Sequence, residues 1–423
     1  MKRVLALLIC CALLVGLFAA CGNGGDTATT DEPADPPEAN GAEETTDDET
    51  PEATEPTGDS DREIIVGVFQ PFTGASGAGG RQEALGIQFG HYMQPTVEIN
   101  GETYTIRLIF ADNATSTERS PTAAQQLVAD GAVAVLGSFG SALTMAASPI
   151  FENAGIPVIG PTFTNPQVTM GNEHVFRICF IDSFQGRVLA AFAIDELGAE
   201  TIFNIAELGN DYDQGLSHYF RQAFEAAGGT VISESFPVGT ADFTAFIASA
   251  NAVGADAFFS PVNIANATQI VDQAAAQGLD MPILAGDTWD NNMIVQAAQD
   301  TDLEIFVSTF YQAGGNPEFD NGFRDWLNAN PDMLEQNGGN DMIAAFSVMG
   351  FDAYNLLMEA FRQAGSAESG ALLQVLPSVT WDGVAGFIEF NQQGDAIRNS
   401  AYVKTVDTRN NDWLLAAAPT VMD

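Results

Sequence analysis

Two hydroxyl-bearing loops are the segments of this 423-residue chain best suited to hold a small solute. The run Ala132-Val133-Ala134-Val135-Leu136 reads as a buried strand, and Gly137-Ser138-Phe139-Gly140-Ser141 follows it, ahead of an alanine-rich helical stretch. A second short strand, Pro157 to Ile159, leads into Gly160-Pro161-Thr162-Phe163-Thr164-Asn165-Pro166. Strand, helix and strand at this spacing make a βαβ unit with parallel strands. In open parallel sheets ligands bind outside the carboxyl ends of the strands, where loop hydroxyls and helix N-terminal N–H groups converge. Ser138/Ser141 and Thr162/Thr164 thus offer neutral donors that suit a carboxylate without a basic residue. Read one at a time, Ser141 is also a fitting helix N-cap and the threonines ordinary turn residues.

Three further polar residues stand just after strand-like runs: Tyr212 beyond Ile202–Ala206, Asn263 beyond Ala257–Ser260, and Asp287 beyond Ile283–Gly286. Catalytic chemistry has little to stand on. The three histidines, His91, His174 and His218, lie far apart without metal-ligand spacing. There is no G-x-S-x-G elbow, P-loop or C-x-x-C. The Gly74–Gly80 loop misses G-x-G-x-x-G and reads as a tight loop whose backbone N–H groups approach a ligand. A binding protein is expected rather than an enzyme, with no catalytic residue, metal or cofactor.

The formal charge is −42, from 14 basic and 56 acidic residues. Thirteen acids fall in 22–60 and two bases in the first three residues, leaving 43 acids against 12 bases, a net of −31, in the remainder. Nucleic-acid binding and direct attraction to anionic lipid are excluded. Lys404 is the one lysine beyond Lys2. Acid excess with scarce lysine fits a saline habitat and a compositional bias toward arginine equally.

Met1-Lys2-Arg3 followed by apolar Val4 to Phe18 reads as a signal sequence, too short for a stable membrane span. The following Ala19-Ala20-Cys21-Gly22 resembles a bacterial lipobox, so Cys21 is the expected lipidated residue and 1–20 the removed signal. From Gly22 to Ser60 there is no Lys, Arg, aromatic, Val, Ile or Leu. Such a segment cannot bury enough apolar surface to offset ordering entropy. A disordered acidic tether over 21–60 is expected, with a mean reach of roughly 35 Å. Beyond it, Cys179 has no partner cysteine and reads as a buried structural thiol.

From Arg62 onward, short apolar runs alternate with amphipathic helical patterns such as Pro121–Ala129, Phe184–Leu197, Leu216–Ala227, Ile264–Gln277 and Met342–Arg362. This rhythm over about 360 residues implies an α/β architecture, too long for one core and so two lobes, divided near Ile181.

Taken together, the segment 132–166, Phe176-Arg177, Asp182-Ser183-Phe184-Gln185-Gly186, Asp211-Tyr212-Asp213-Gln214-Gly215-Leu216, Ala241-Asp242-Phe243-Thr244 and Gly286-Asp287 resemble the periplasmic leucine/isoleucine/valine-binding protein family, the type I solute-binding proteins of ABC importers. The resemblance implies two Rossmann-like lobes with parallel central sheets joined by a three-crossing hinge. The expected first lobe is 61–181 plus 305–396 and the second 182–304 plus 397–423. It also implies that Ser141 and Thr164 hold a ligand's α-carboxylate and Asp287 its α-ammonium, with Trp289 and Phe346 as side-chain pocket walls. Thr162 and Phe163 replace small residues of the family's second loop, and Asn263 replaces a pocket tyrosine. Ligand identity therefore does not carry over, and an amide or small carboxylate sensed by a receptor module is the alternative. The implied protein is a monomer, extracytoplasmic and held at the membrane by its lipid, passing a small molecule, expected to be an amino acid, to ABC permease subunits.

Overall fold

The computed structural model describes residues 62–418; the expected signal, Cys21 and the acidic segment to Ser60 lie outside these residues. Two sheets carry the fold. The first contains β1 (Glu63–Gln70), β2 (Thr96–Ile99), β3 (Glu102–Asp112), β4 (Ala134–Leu136), β5 (Val158–Gly160) and β6 (Val175–Arg177), in the order β2-β3-β1-β4-β5-β6. Its neighbours run parallel except β2, which turns back onto β3 through Asn100-Gly101. Both turn residues have positive φ, 53° and 82°, as a two-residue hairpin demands. Every residue of β4, β5 and β6 is buried, the pattern of parallel strands covered on both faces. Helices α1 (Gly77–Met93), α2 (Ser120–Ala129) and α3 (Ser141–Ala154) make the crossovers.

After β6 the chain enters the second lobe through α4 (Asp182–Asp195). There β7 (Thr201–Glu207), β8 (Thr230–Phe236), β9 (Ala257–Phe259), β10 (Ile283–Ala285) and β11 (Ile305–Thr309) alternate with α5 (Asp211–Ala226), α6 (Thr244–Val253), α7 (Ile264–Gln277) and α8 (Asn292–Ala297). It then returns to the first lobe for α9 (Pro317–Ala329), α10 (Pro331–Gln336), α11 (Ala345–Ala364), α12 (Ser369–Val375) and a small hairpin, β12 (Trp381–Gly383) with β13 (Gly386–Ile388). Finally β14 (Tyr402–Asp407) and β15 (Asp412–Ala417) complete the second sheet, ordered β15-β14-β11-β10-β9-β7-β8.

One expected boundary moves. The strand Ile305–Thr309, placed in the first lobe by the resemblance, pairs parallel with β10 and antiparallel with β14. Ile305 and Val307 join the second core, so the chain recrosses after Thr309 rather than at 305. The three crossings are laced to one another. Arg177 N–H donates to Gly394 O and Ala396 N–H to Arg177 O, each at 2.9 Å. Arg398 Nε donates to Ile178 O at 2.9 Å, and the Phe180 and Phe310 rings lie 4.3 Å apart. Cys179 sits among these strands as a buried free thiol, its pKa pushed up by burial.

Helix α11 lies directly on α1. A side chain at Gly86 would meet Ser347 O at 1.8 Å, and one at Gly350 would meet Glu83 O at 2.1 Å. These two glycines let the helix backbones touch, which drives Glu83 wholly into the interior beneath the cleft.

Candidate functional site

A cavity of about 270 Å³ lies between the lobes, walled by loops that leave the carboxyl ends of the strands. The first lobe contributes Ser76 after β1, Thr115 to Glu118 after β3, Phe139 to Leu143 after β4, and Thr162 after β5. The second contributes Glu207 and Tyr212 after β7, Val238 after β8, Asn263 after β9, and Asp287 with Thr288 after β10. This is where a parallel α/β sheet places a ligand.

On the first-lobe side Ser141 opens α3 and is buried. Its Oγ accepts from Asn165 N–H at 3.2 Å, which leaves the hydroxyl proton free to donate into the cavity. Thr162 Oγ1 is tied to Glu83 Oε2, while Gln70 Nε2 donates to Glu83 Oε1. Gln70 Oε1 in turn accepts from Phe139 N–H at 2.8 Å, so four residues form one buried chain ending at the cavity wall. Burial pushes the Glu83 carboxyl up to about 7, more than the hydrogen bonds from Thr162 and Gln70 pull it down.

On the second-lobe side Asp287 begins a single 3₁₀ turn and is 2% exposed. Its Oδ1 accepts from Tyr212 Oη at 2.8 Å and from Gln185 Nε2 at 2.7 Å. Gln185 Nε2 also lies 2.7 Å from Ser308 Oγ, which fixes the amide. Burial raises Asp287 to about 6 despite both donors. Asn263 caps α7 by accepting from Asn266 N–H at 3.0 Å. Its Nδ2 reaches Glu207 Oε2 at 3.2 Å.

Ser141, Thr162, Tyr212, Asn263 and Asp287 thus converge on one cavity. Four other expected site residues do not reach its wall. Phe163 turns inward, its ring against Gly160 in the first-lobe core, while its carbonyl accepts from Arg177 Nη1 at 3.0 Å. Thr164 is fully buried, as is Asp182, whose carboxyl is lifted by burial to about 8. Trp289 is fully buried with its indole N–H on Val262 O at 3.2 Å. Phe346 lies one layer back, edge-on to Phe139 at 4.9 Å, and Phe139 is the ring that meets the cavity. Each of these aromatics satisfies more apolar area in a core than in a wet cleft. Of the Gly74–Gly80 loop only Ser76 lines the cavity, and Gly79 instead makes room for the Phe139 ring.

Glu83, Glu207 and the Thr115–Glu118 loop were not singled out from sequence, and Gln185 entered only within the Asp182–Gly186 motif. Glu83 sits mid-helix among alanines and glycines, and a charged residue there was the available signal. Hydrogen bonds join the lobes at several points, among them Asn292 Nδ2 to Asn337 O at 2.6 Å. Asn165 Nδ2 donates to Asp211 O at 2.7 Å, Ala265 N–H to Ala75 O at 3.2 Å, and Asn291 Nδ2 to Gln82 Oε1 at 2.5 Å. Among the described residues no group of three or more His, Cys, Asp or Glu could hold a metal, and no helix is long and apolar enough to cross a membrane.

A sequence profile described as periplasmic binding protein matches residues 63–411. An amino acid binding protein of Pseudomonas aeruginosa is 29% identical over 355 residues, covering 81% of this chain and 89% of the relative. The crystal structure of a leucine binding protein, LivK, from Thermotoga maritima superposes with a TM-score of 0.75 at 30% identity, covering 84% of this chain and 99% of that one. An ABC-transporter solute binding protein from Rhodopseudomonas palustris, in complex with 3,4-dihydroxybenzoic acid, shares the fold with a TM-score of 0.73 at 20% identity, over 85% of this chain and 98% of its own. The two-lobed α/β fold, the cleft between the sheets and these matches together place the chain in the periplasmic binding protein family.

Proposed function

We propose that the protein captures an α-amino acid in the interlobe cleft and delivers it to an ABC permease. The observation that carries this reading is the opposition of a buried carboxylate, Asp287, to neutral donors on the facing lobe, Ser141 and Thr162. A zwitterion finds its ammonium on Asp287 and the Tyr212 oxygen, and its carboxylate on the Ser141 hydroxyl and the N-terminus of α3. Closing the lobes removes water from both poles at once, so neither lobe alone holds the solute well. A solute with a carboxylate and no amine fits poorly, because the wall carries the carboxyls of Glu118, Glu207, Asp213 and Asp287 and no Lys, Arg or His. The relatives named as amino acid and leucine binding proteins support the same solute class.

The remainder of the proposal follows from the N-terminal sequence. Cys21 carries lipid, 21–60 tethers the domain, and a monomer works outside the cytoplasm beside its permease. Replacing Cys21 with Ala should release the protein from membranes. The solute class is tested by a thermal-shift screen of the purified protein against amino acids, amides and small carboxylates. A solute at 100 times its Kd should add about 2.7 kcal/mol of stability. Shifts confined to carboxylates without an α-amine would overturn the reading.

A further inference from the structure

Resting on the amino-acid reading, we infer that the solute carries a second cationic group, held at the far end of the cleft by Glu207 and Asp213, and is therefore an α-amino acid with a basic side chain.

The zwitterion's ammonium occupies one carboxyl of the wall, Asp287, and leaves others unused. Glu207 ends β7 with its carboxylate in the cavity. Asn263 Nδ2 and Asn266 Nδ2 both donate to its Oε2, at 3.2 and 3.1 Å, and no described residue donates to Oε1. Asp213, in the first turn of α5, is fully buried and lines the same cavity. Its Oδ2 accepts from Glu207 N–H at 3.1 Å, but its Oδ1 has no hydrogen-bond partner. Burial pushes the Asp213 carboxyl up, and a buried carboxyl oxygen left without a partner forfeits its hydration for nothing in return until a cation restores the charged form. An apolar side chain closed over this end would leave Glu207 Oε1 and Asp213 Oδ1 facing hydrocarbon. An ammonium or guanidinium would meet both. The cavity wall also carries apolar residues, Phe139, Ala142, Leu143 and Val238, which suit the methylene stem of a lysine, ornithine or arginine.

The test compares L-lysine with L-norleucine, which lacks only the terminal amine, by isothermal titration of the purified protein. L-Lysine should bind at least about tenfold more tightly, and Glu207→Gln should reduce that preference to within about threefold. Asp213→Asn serves as a second variant should Glu207→Gln fold poorly. Norleucine binding as tightly as lysine would overturn the inference while leaving amino-acid capture standing. A lysine preference unchanged in both variants would overturn the assignment to Glu207 and Asp213. Failure of both amino acids to bind, with a non-amino-acid hit in the thermal screen, would overturn this inference together with the reading beneath it.

Discussion

Tyr212 and Asp287, 75 positions apart, meet through a 2.8 Å hydrogen bond from the phenol to the carboxylate at the base of the cleft. The bond exists because Gly286 has no side chain; a Cβ there would stand 2.2 Å from the Tyr212 oxygen. Tyr212 gives its one proton to Asp287, so only oxygen lone pairs from this pair face the solute. That polarity suits an ammonium, the group proposed to bind there.

Asp287→Asn is expected to weaken amino-acid binding by about 2–5 kcal/mol, because the ammonium loses its charged partner in a closed site. Ser141→Ala should cost less, about 1–3 kcal/mol, since the N-terminal N–H groups of α3 still serve the carboxylate. Calorimetric titration of each variant checks both, with circular dichroism to show that the fold is kept. Equal losses would argue against the division of charge between the lobes.

The affinity should pass through a maximum between pH 6 and 7. Below about 6 Asp287 takes up a proton in the free protein, and binding an ammonium then requires losing it. Above about 7 Glu83 is ionised and accepts the Thr162 hydroxyl's hydrogen bond, so Thr162 can no longer donate to the solute carboxylate. Glu83→Gln keeps an N–H on Thr162 and should abolish the alkaline limb alone. An alkaline limb that persists in this variant would break the proposed link from Glu83 to the site.

Stability of the unliganded protein should fall as pH rises from about 5 to 8. Glu83, Asp182 and Asp287 have folded pKa values of about 7, 8 and 6, above the roughly 4 of an unfolded chain. The folded state therefore holds more protons, and the stabilisation present below about pH 4 is lost as each folded pKa is passed. Asp112, whose hydrogen bonds hold its pKa down, acts in the opposite sense, at lower pH. Scanning calorimetry at constant ionic strength should give a higher Tm at pH 5 than at pH 8, and the reverse order would contradict the account.

Much of this was legible in the sequence. Apolar runs ending in Ser, Thr, Asn and Asp marked the strands and their carboxyl ends, so Ser141, Thr162, Tyr212, Asn263 and Asp287 fell on one cleft. Facing direction was not legible. Phe163 and Thr164 follow Thr162 directly, yet the backbone turn sends them into the core, and no periodicity records such a turn. Asn100-Gly101 marks the β2–β3 hairpin by its dipeptide alone. Glu83 depends on a helix contact more than 250 residues distant in sequence, set by Gly350, which no local pattern encodes.

Lys404 stood out by composition, but its partner emerged only from the fold. Its ammonium lies 2.9 Å from Asp290 Oδ2, with both side chains almost wholly buried and Thr309 also donating to that oxygen. Lys404→Met should destabilise the protein by about 3–5 kcal/mol, because Asp290 would remain buried and unpaired. Adding Asp290→Asn should recover part of the loss. Denaturant titration of the single and double variants measures both, and an additive double variant would show that the pair is not coupled.

Retention of an α-ammonium by Asp287 is probed by matched pairs differing only in that group: L-lysine against 6-aminohexanoate, with L-leucine against 4-methylpentanoate as the apolar counterpart. In calorimetric titration, whichever amino acid binds should lose at least about hundredfold in affinity when its α-amine is removed, and Asp287→Asn should erase most of that difference. A desamino acid that binds the wild-type protein as tightly as its parent, or a difference untouched by Asp287→Asn, would contradict the account.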